Sequence, residues 1–164
     1  MAIEYAVDPS SPPNPGTDNH GAGIGGTALQ VAALPYRSHP RGRDILLITS
    51  RRSGRWILPK GWPHHGTSLA QSAAREAYEE AGVQGTIWQH EIGRFVTTKV
   101  TPDGSAAVPV VVYPLKVELE LAEWPEGRDR QRQWFALAEA SDAIAPDQRD
   151  IVVAFYGSGV WSGY

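Results

Sequence analysis

The chain of 164 residues contains no cysteine. That absence excludes disulfide bridges, thiolate-bound zinc and a cysteine nucleophile, and it agrees with a reducing compartment such as the cytoplasm. No apolar run approaches the roughly 20 residues that a membrane-spanning helix requires. The opening residues, MAIEYAVDPS, show no basic segment followed by an apolar one, so we expect no secretory signal. We therefore expect a cytoplasmic protein without a membrane partner.

Positive charge is also scarce. Lysine and arginine number 15 against 18 aspartates and glutamates, which gives a formal net charge of −3. General nucleic-acid binding requires a basic face, because contacts to phosphates supply most of the affinity. The balance argues against a nucleic-acid partner without excluding a local basic pocket.

Residues 8–26 consist mainly of proline, glycine, serine, asparagine and aspartate. Such a segment cannot bury enough apolar surface to offset its ordering entropy. We predict a flexible leader over residues 1–26 and a single domain over residues 27–164. Strands are predicted before and after one strong helix, with two helical segments at the end, which indicates a mixed α/β architecture. The predicted strands cover residues 27–37, 44–50, 55–58, 86–100, 106–122 and 132–137.

The clearest helix is predicted over residues 68–81. Ser68 is a suitable N-cap, Gln71 completes a capping box three residues later, and Gly82 follows as the left-handed terminator. At about 100° per residue, five alanines fall on one stripe, which lets the helix approach a sheet closely. These are Ala70, Ala73, Ala74, Ala77 and Ala81.

Glutamates form a second stripe on the same helix, at Glu76, Glu79 and Glu80. Like charges at i and i+4 repel, and carboxylates in a last turn meet the negative end of the helix dipole, which disfavours each by roughly 0.3–1 kcal/mol. Arg75 offsets part of this charge through an i, i+4 pair with Glu79. A divalent cation would neutralise the rest. The alternative interpretation is a solvated charged face.

The spacing resembles the Nudix hydrolase family, whose box reads G-x5-E-x7-R-E-U-x-E-E-x-G-U, with U a bulky apolar residue. Ala77 takes the first U, and Thr67 stands where the family has its first glutamate. The other fixed positions are filled by Gly61, Arg75, Glu76, Glu79, Glu80, Gly82 and Val83. The resemblance implies an α/β/α sandwich with a mixed β-sheet over roughly residues 27–157.

The resemblance also implies an activity: hydrolysis of a diphosphate linked to another moiety, by attack of water on phosphorus with Mg²⁺, or Mn²⁺ as a substitute. Glu76 and Glu80 would be the principal metal ligands, and Glu79 the general base or a further ligand. The carbonyl of Lys60 would also contact metal, and Arg75 would orient the glutamates. An additional ligand from a later acid stays open among Glu118, Glu120 and Glu123.

The flanking segments ALPYR, LLITSRRSGRWILPKG and RDRQRQWF resemble the diphosphoinositol polyphosphate and diadenosine polyphosphate hydrolase branch. Arginine forks suit phosphate oxygens, so we predict substrate contacts from Arg51, Arg55, Arg130 and Arg132. Ala28 and Gln30 replace basic side chains that the branch usually carries.

Thr67 motivates an alternative function, a phosphate-ligand binding or regulatory module with an impaired box. His64 and His65 either meet a phosphate or a base, or are solvated.

Overall fold

The computed structural model describes residues 6–7 and 28–158. Its nine strands form one sheet. They are β1 Ala6–Val7, β2 Gln30–His39, β3 Gly42–Thr49, β4 Trp56–Ile57, β5 Lys60–Gly61, β6 Val83–Ile87, β7 Gly93–Thr101, β8 Gly104–Glu120 and β9 Arg132–Ala136. The helices are α1 Leu69–Glu76, α2 Leu137–Ala143 and α3 Arg149–Gly157, with a π turn at Ala77–Ala81 and a 3-10 turn at Pro146–Gln148.

The long strand β8 organises the sheet. One of its edges pairs in parallel with β2, and its other edge pairs antiparallel with β7 and β6, which lie one after the other along it. Beyond β2, the sheet continues through β3 to β4 and β9, and β5 pairs with the start of β2. The sheet is therefore mixed.

The two faces of the sheet carry separate helical layers. Along β2, Val31 and Ala33 pack with the alanine stripe of α1, whereas Ala32 and Leu34 pack with α2 and α3. This alternation follows from the two-residue period of a strand, and all four side chains are fully buried because both faces are covered. The predicted α/β/α sandwich with a mixed β-sheet is confirmed.

The single strand predicted over residues 86–100 is wrong, because this segment forms β6 and β7 with a loop between them. Both strands pair with one edge of β8, β6 with residues 115–120 and β7 with residues 104–112. The intervening chain bends so that each strand meets its own stretch of that edge.

Two residues of the predicted leader belong to the sheet, since β1 pairs in parallel with β6. Residues 8–26 lie outside the described residues, so the leader and the domain boundary stay predictions. Over the part of the chain that the structure describes, no helix combines the length and the apolar character that crossing a membrane requires.

Candidate functional site

A complete capping box fixes the start of α1. The Ser68 hydroxyl accepts a hydrogen bond from the Gln71 amide at 3.1 Å, and the Gln71 side-chain carbonyl accepts one from the Ser68 amide at 3.2 Å. The five alanines of the stripe are all buried against the sheet. The predicted cap and packing face are therefore confirmed, and the helix is held in a fixed orientation toward the strands.

The helical segment changes its hydrogen bonding before it ends. The α-helix stops at Glu76, and Ala77–Ala81 continue as a π turn, which the prediction of one helix over residues 68–81 did not anticipate. Gly82 then terminates it with a φ of 66°, as predicted. Short π segments within α-helices are frequent at functional sites, and this one carries Glu79 and Glu80.

Contacts from distant residues satisfy the carbonyls at the end of the π turn. The Glu126 amide donates to the Glu79 carbonyl and the Trp124 indole to the Glu80 carbonyl, both at 3.0 Å. Arg132 donates to the next two carbonyls at 2.9 and 3.2 Å. A guanidinium at the negative end of a helix offsets its dipole, which reduces the cost of placing glutamates there.

Arg132 also ties this end of the helix to the loop after β8. Its second terminal nitrogen donates to the Leu121 carbonyl at 2.6 Å, and its guanidinium carbon lies 4.0 Å from the centroid of the Trp124 ring. A Cβ at Gly82 would overlap both the guanidinium and the indole. The close approach of the two side chains therefore requires glycine at this position.

Glu76 and Glu80 meet the backbone of β5. The Glu80 Oε2 atom accepts a hydrogen bond from the Lys60 amide at 3.1 Å. A Cβ at Gly61 would overlap the Glu76 carboxylate, so only glycine leaves room for that side chain. Counted as whole residues, both glutamates are 7% exposed. The two acids to which the resemblance assigns the main metal contacts thus lie against one short stretch of backbone.

Burial raises the pKa of both carboxyls. For Glu76, the nearby charge of Glu79 adds to the effect of burial, and a hydrogen bond with His64 opposes it. For Glu80, burial raises the pKa to about 7 despite the opposing charge of Arg130. Adjacent buried acids with raised pKa values favour uptake of a proton or a cation.

The third glutamate, Glu79, is more accessible. Its Oε1 atom accepts a hydrogen bond from Arg75 Nε at 3.0 Å, and the two side chains are 29% and 50% exposed. This is the i, i+4 pair expected from the sequence. Because both groups reach solvent, the pair contributes little to stability and can open at low cost.

Arg130 is the buried cation of the site, with a side chain 7% exposed. It donates to Glu80 Oε1 at 3.1 Å and to the Thr49 carbonyl at 3.1 Å, and it lies 3.2 Å from a Glu126 oxygen. Arg51 reaches the same Glu126 oxygen at 3.4 Å. The loop between β8 and β9 is thereby connected to the glutamate cluster.

Glu126 is a site residue that the sequence reasoning missed. Of the three later acids considered as an additional ligand, Glu118 accepts a hydrogen bond from Thr86 and Glu120 accepts one from Trp134. Glu126, by contrast, raises the pKa of both buried site glutamates by its charge. The sequence signal that could have identified Glu126 was its position four residues before Arg130. Nothing in the sequence of the loop between β8 and β9 indicates that this loop runs back to the glutamate cluster.

The loop between Gly61 and α1 brings a histidine to the glutamates. His64 Nε2 lies 2.9 Å from Glu76 Oε1, and its side chain is 24% exposed. Thr67, which stands at the position of the family's first glutamate, donates to the His64 carbonyl at 3.0 Å. Its hydroxyl oxygen lies 2.8 Å from that of Ser72. His65 is exposed.

The four arginines assigned to substrate differ in their surroundings. Arg51 and Arg55 are exposed near the turn between β3 and β4, whereas Arg130 and Arg132 hold protein carbonyls and carboxylates. Substrate contacts from all four stay predictions. Lys60, whose amide donates to Glu80, adds a further cation. Its Nζ atom lies 3.5 Å from Gln30 Oε1.

The donor set fits a hard divalent cation. His64, Glu76 and Glu79 each offer a ligand atom, and these atoms lie within 4.8 Å of one another. The glycine at position 61 leaves space at the Glu76 carboxylate that any side chain would fill. Carboxylates are ligands that Mg²⁺ accepts, so Glu76 and Glu79 are suited to hold such an ion. The ligand role of Glu80 stays a prediction, because its two oxygens accept hydrogen bonds from Lys60 and Arg130.

Curated proteins are similar to this chain in sequence. Nudix hydrolase 21, chloroplastic, from Arabidopsis thaliana is 34% identical over 120 residues, which is 67% of this chain and 56% of that protein. Diphosphoinositol polyphosphate phosphohydrolase 2 from Rattus norvegicus is 32% identical over 117 residues, or 70% of this chain and 62% of that protein. The chain therefore spans little more than half the length of these curated relatives.

The fold and a family profile agree with these relatives. The crystal structure of the C. elegans Ap4A hydrolase superposes with a TM-score of 0.57 at 19% identity, over 80% of this chain and 97% of that one. The profile of the NUDIX domain matches residues 27–155. Since that match includes α1, the π turn and the strands that position them, the chain belongs to the NUDIX domain family.

Proposed function

We propose that this chain is a Mg²⁺-dependent pyrophosphohydrolase, with Mn²⁺ as a substitute ion. Its substrate is a polyphosphorylated small molecule of the diphosphoinositol polyphosphate or dinucleoside polyphosphate type, and the bond cleaved is a phosphoanhydride. The observation that carries this proposal is the meeting of two buried carboxylates, Glu76 and Glu80, at the backbone of Lys60–Gly61. The names of the rat relative and of the C. elegans structure support the substrate class.

In this proposal, Glu76, Glu80 and the Lys60 carbonyl hold the ion, and Glu79 acts as general base or as a further ligand. A cation bound there would neutralise anhydride oxygens and lower the pKa of a coordinated water. Arg75 orients Glu79 through the hydrogen bond from its Nε atom to Glu79 Oε1. Glu79 suits proton transfer because it is the most accessible of the three glutamates.

The cations around the cluster support a substrate with several phosphates. Arg51 is exposed and reaches Glu126, and Arg55 is exposed near the turn between β3 and β4. Arg130 and Arg132 would require rearrangement of their present contacts to reach substrate. Burial, followed by the charge of Lys99, lowers the pKa of Lys60 to about 8. A polyphosphate anion would relieve the repulsion between those two ammonium groups.

A substrate panel tests the proposed activity. The purified chain is incubated with diadenosine tetraphosphate, a diphosphoinositol polyphosphate, ADP-ribose and a nucleoside triphosphate, each with Mg²⁺, with Mn²⁺ and with a chelator. We expect phosphate or nucleotide products from at least one of the first two compounds, only with a metal. Reaction in ¹⁸O-labelled water identifies the phosphorus that is attacked. Failure of every compound with either metal would refute the proposal.

A second candidate is a phosphate-ligand binding or regulatory module with an impaired box. The observation in its favour is Thr67, a neutral residue whose hydroxyl is engaged by His64 and Ser72. A module of this kind would be stabilised thermally by one of the same compounds without releasing any product. Turnover in the panel would exclude it.

We also propose the cytoplasm as the place of action and a small molecule, not nucleic acid or membrane, as the partner. The lack of cysteine and the net charge of −3 support these choices. Several relatives are named as chloroplastic or mitochondrial, so fluorescence microscopy of the tagged protein in its own cells is the deciding measurement.

A further inference from the structure

We propose that His64 is a nitrogen ligand of the divalent cation that Glu76 would hold, with Glu79 as the further ligand. The inference rests on the proposed function, because it concerns the ion that the activity needs. The box specifies no residue type for the five positions between Gly61 and Thr67, so an imidazole here is a property of this chain. It would add a nitrogen donor to a site that otherwise offers oxygen.

The backbone of His64 is anchored from both sides, which fixes the direction of its side chain. Its amide donates to the Ser72 hydroxyl at 2.9 Å, and Ser72 is fully buried. Its carbonyl accepts hydrogen bonds from the Thr67 hydroxyl at 3.0 Å and from the Thr67 amide at 3.3 Å. Thr67 therefore supports the imidazole where the family pattern would supply a carboxylate.

The position of the imidazole suits a shared ion. His64 Nε2 and Glu76 Oε1 are 2.9 Å apart, and a Glu79 oxygen completes a group within 4.8 Å. Adjacent donors on one octahedral ion are roughly 3 Å apart when each bond is about 2.1 Å. The His64 side chain is 24% exposed, so an ion can reach it from solvent. A hydrogen bond from His64 to Glu76 alone would give the same spacing, and the experiment must separate the two roles.

A nitrogen ligand changes the metal preference of the site. Imidazole binds Mn²⁺ and later transition metals better than it binds Mg²⁺, which prefers oxygen. We therefore expect His64→Gln to weaken Mn²⁺ binding by a larger factor than it weakens Mg²⁺ binding. Isothermal titration of both metals into the full chain measures this difference. His65→Gln is the matched control, since it removes the adjacent exposed histidine.

Electron spin-echo envelope modulation of bound Mn²⁺ tests coordination directly, because a ligated imidazole couples its ¹⁴N nucleus to the electron spin. Mn²⁺ is added alone and with methylenediphosphonate, which contains no nitrogen. Nitrogen modulation in the wild type and in His65→Gln that is lost in His64→Gln supports the proposal.

Two outcomes overturn it in distinguishable ways. If Mn²⁺ binds without nitrogen modulation, or if the modulation survives in His64→Gln, the imidazole is not a ligand and the proposed function stands. If Mn²⁺ does not bind under either condition, both the ligand role and the proposed function fail.

Discussion

The buried pair of Arg130 and Glu80 allows a sharp test of the site's electrostatics. Arg130→Met would remove the guanidinium that lies 3.1 Å from Glu80 and retain an unbranched apolar side chain in its place. The two side chains are 7% and 10% exposed, so the remaining carboxylate would have little access to water. Removing one partner of a buried pair typically costs about 3–5 kcal/mol, because the other charge stays buried without compensation.

We expect a loss of about 3 kcal/mol in the free energy of unfolding at pH 8.5 without metal. Burial raises the pKa of Glu80 to about 7 from 4.5, and Arg130 opposes that rise, so the pKa rises further in the variant. A folded-state pKa above the unfolded value means that protonation favours the folded protein as the pH falls. The cost should therefore shrink toward pH 5, where Glu80 is neutral and needs no counter-charge.

Urea denaturation followed by tryptophan fluorescence measures this effect at pH 5 and pH 8.5, since the chain has six tryptophans. Arg94→Met is the matched control, because it breaks a pair at a similar distance, 3.1 Å from Glu91, between side chains that are 58% and 40% exposed. That pair should contribute less than about 1 kcal/mol. Equal, pH-independent losses in the two variants would refute the reasoning.

Three further expectations follow from the glutamate cluster. Glu79→Gln should lower kcat at least about 100-fold with an unchanged circular dichroism spectrum; near-normal turnover would contradict the role of Glu79. Gly61→Ala should weaken Mn²⁺ binding in a calorimetric titration, because the new methyl group displaces Glu76. Gly157→Ala, at a glycine with open space, is the control. Mn²⁺ affinity should fall about tenfold from pH 8 to pH 6, because a proton on Glu80, with its pKa of about 7, competes with the metal; a constant affinity would exclude this competition.

Local chemistry explains why part of this structure was predictable from sequence. The Ser68–Gln71 box, the alanine stripe and the terminator Gly82 each depend on residues within a few positions, and all three are confirmed. The apolar run of residues 27–37 likewise predicted a strand, and β2 covers Gln30–His39. The Arg75–Glu79 pair was predictable because both residues lie on one helix, one turn apart.

Contacts between distant parts of the chain account for what the sequence did not reveal. Glu126 enters the site because its loop returns to the π turn and donates its amide to the Glu79 carbonyl. Arg132, which the resemblance assigned to substrate, donates to carbonyls 50 and 51 residues earlier in the chain. No pattern along one segment encodes such pairings. The donors from Glu126, Trp124 and Arg132 that satisfy the carbonyls at the end of the π turn also come from distant parts of the chain.

The three glutamates at the end of the helix each have their own partner in the folded chain. His64 lies against Glu76, Arg75 against Glu79 and Arg130 against Glu80. These partners differ in burial, so they differ in how easily an incoming cation can replace them. The Arg75 pair is the most exposed and should open first, whereas Arg130 should stay in place as a fixed charge. Because each carboxylate already has a partner, we expect the fold not to depend on the ion, with metal binding replacing some of these contacts instead of ordering the site.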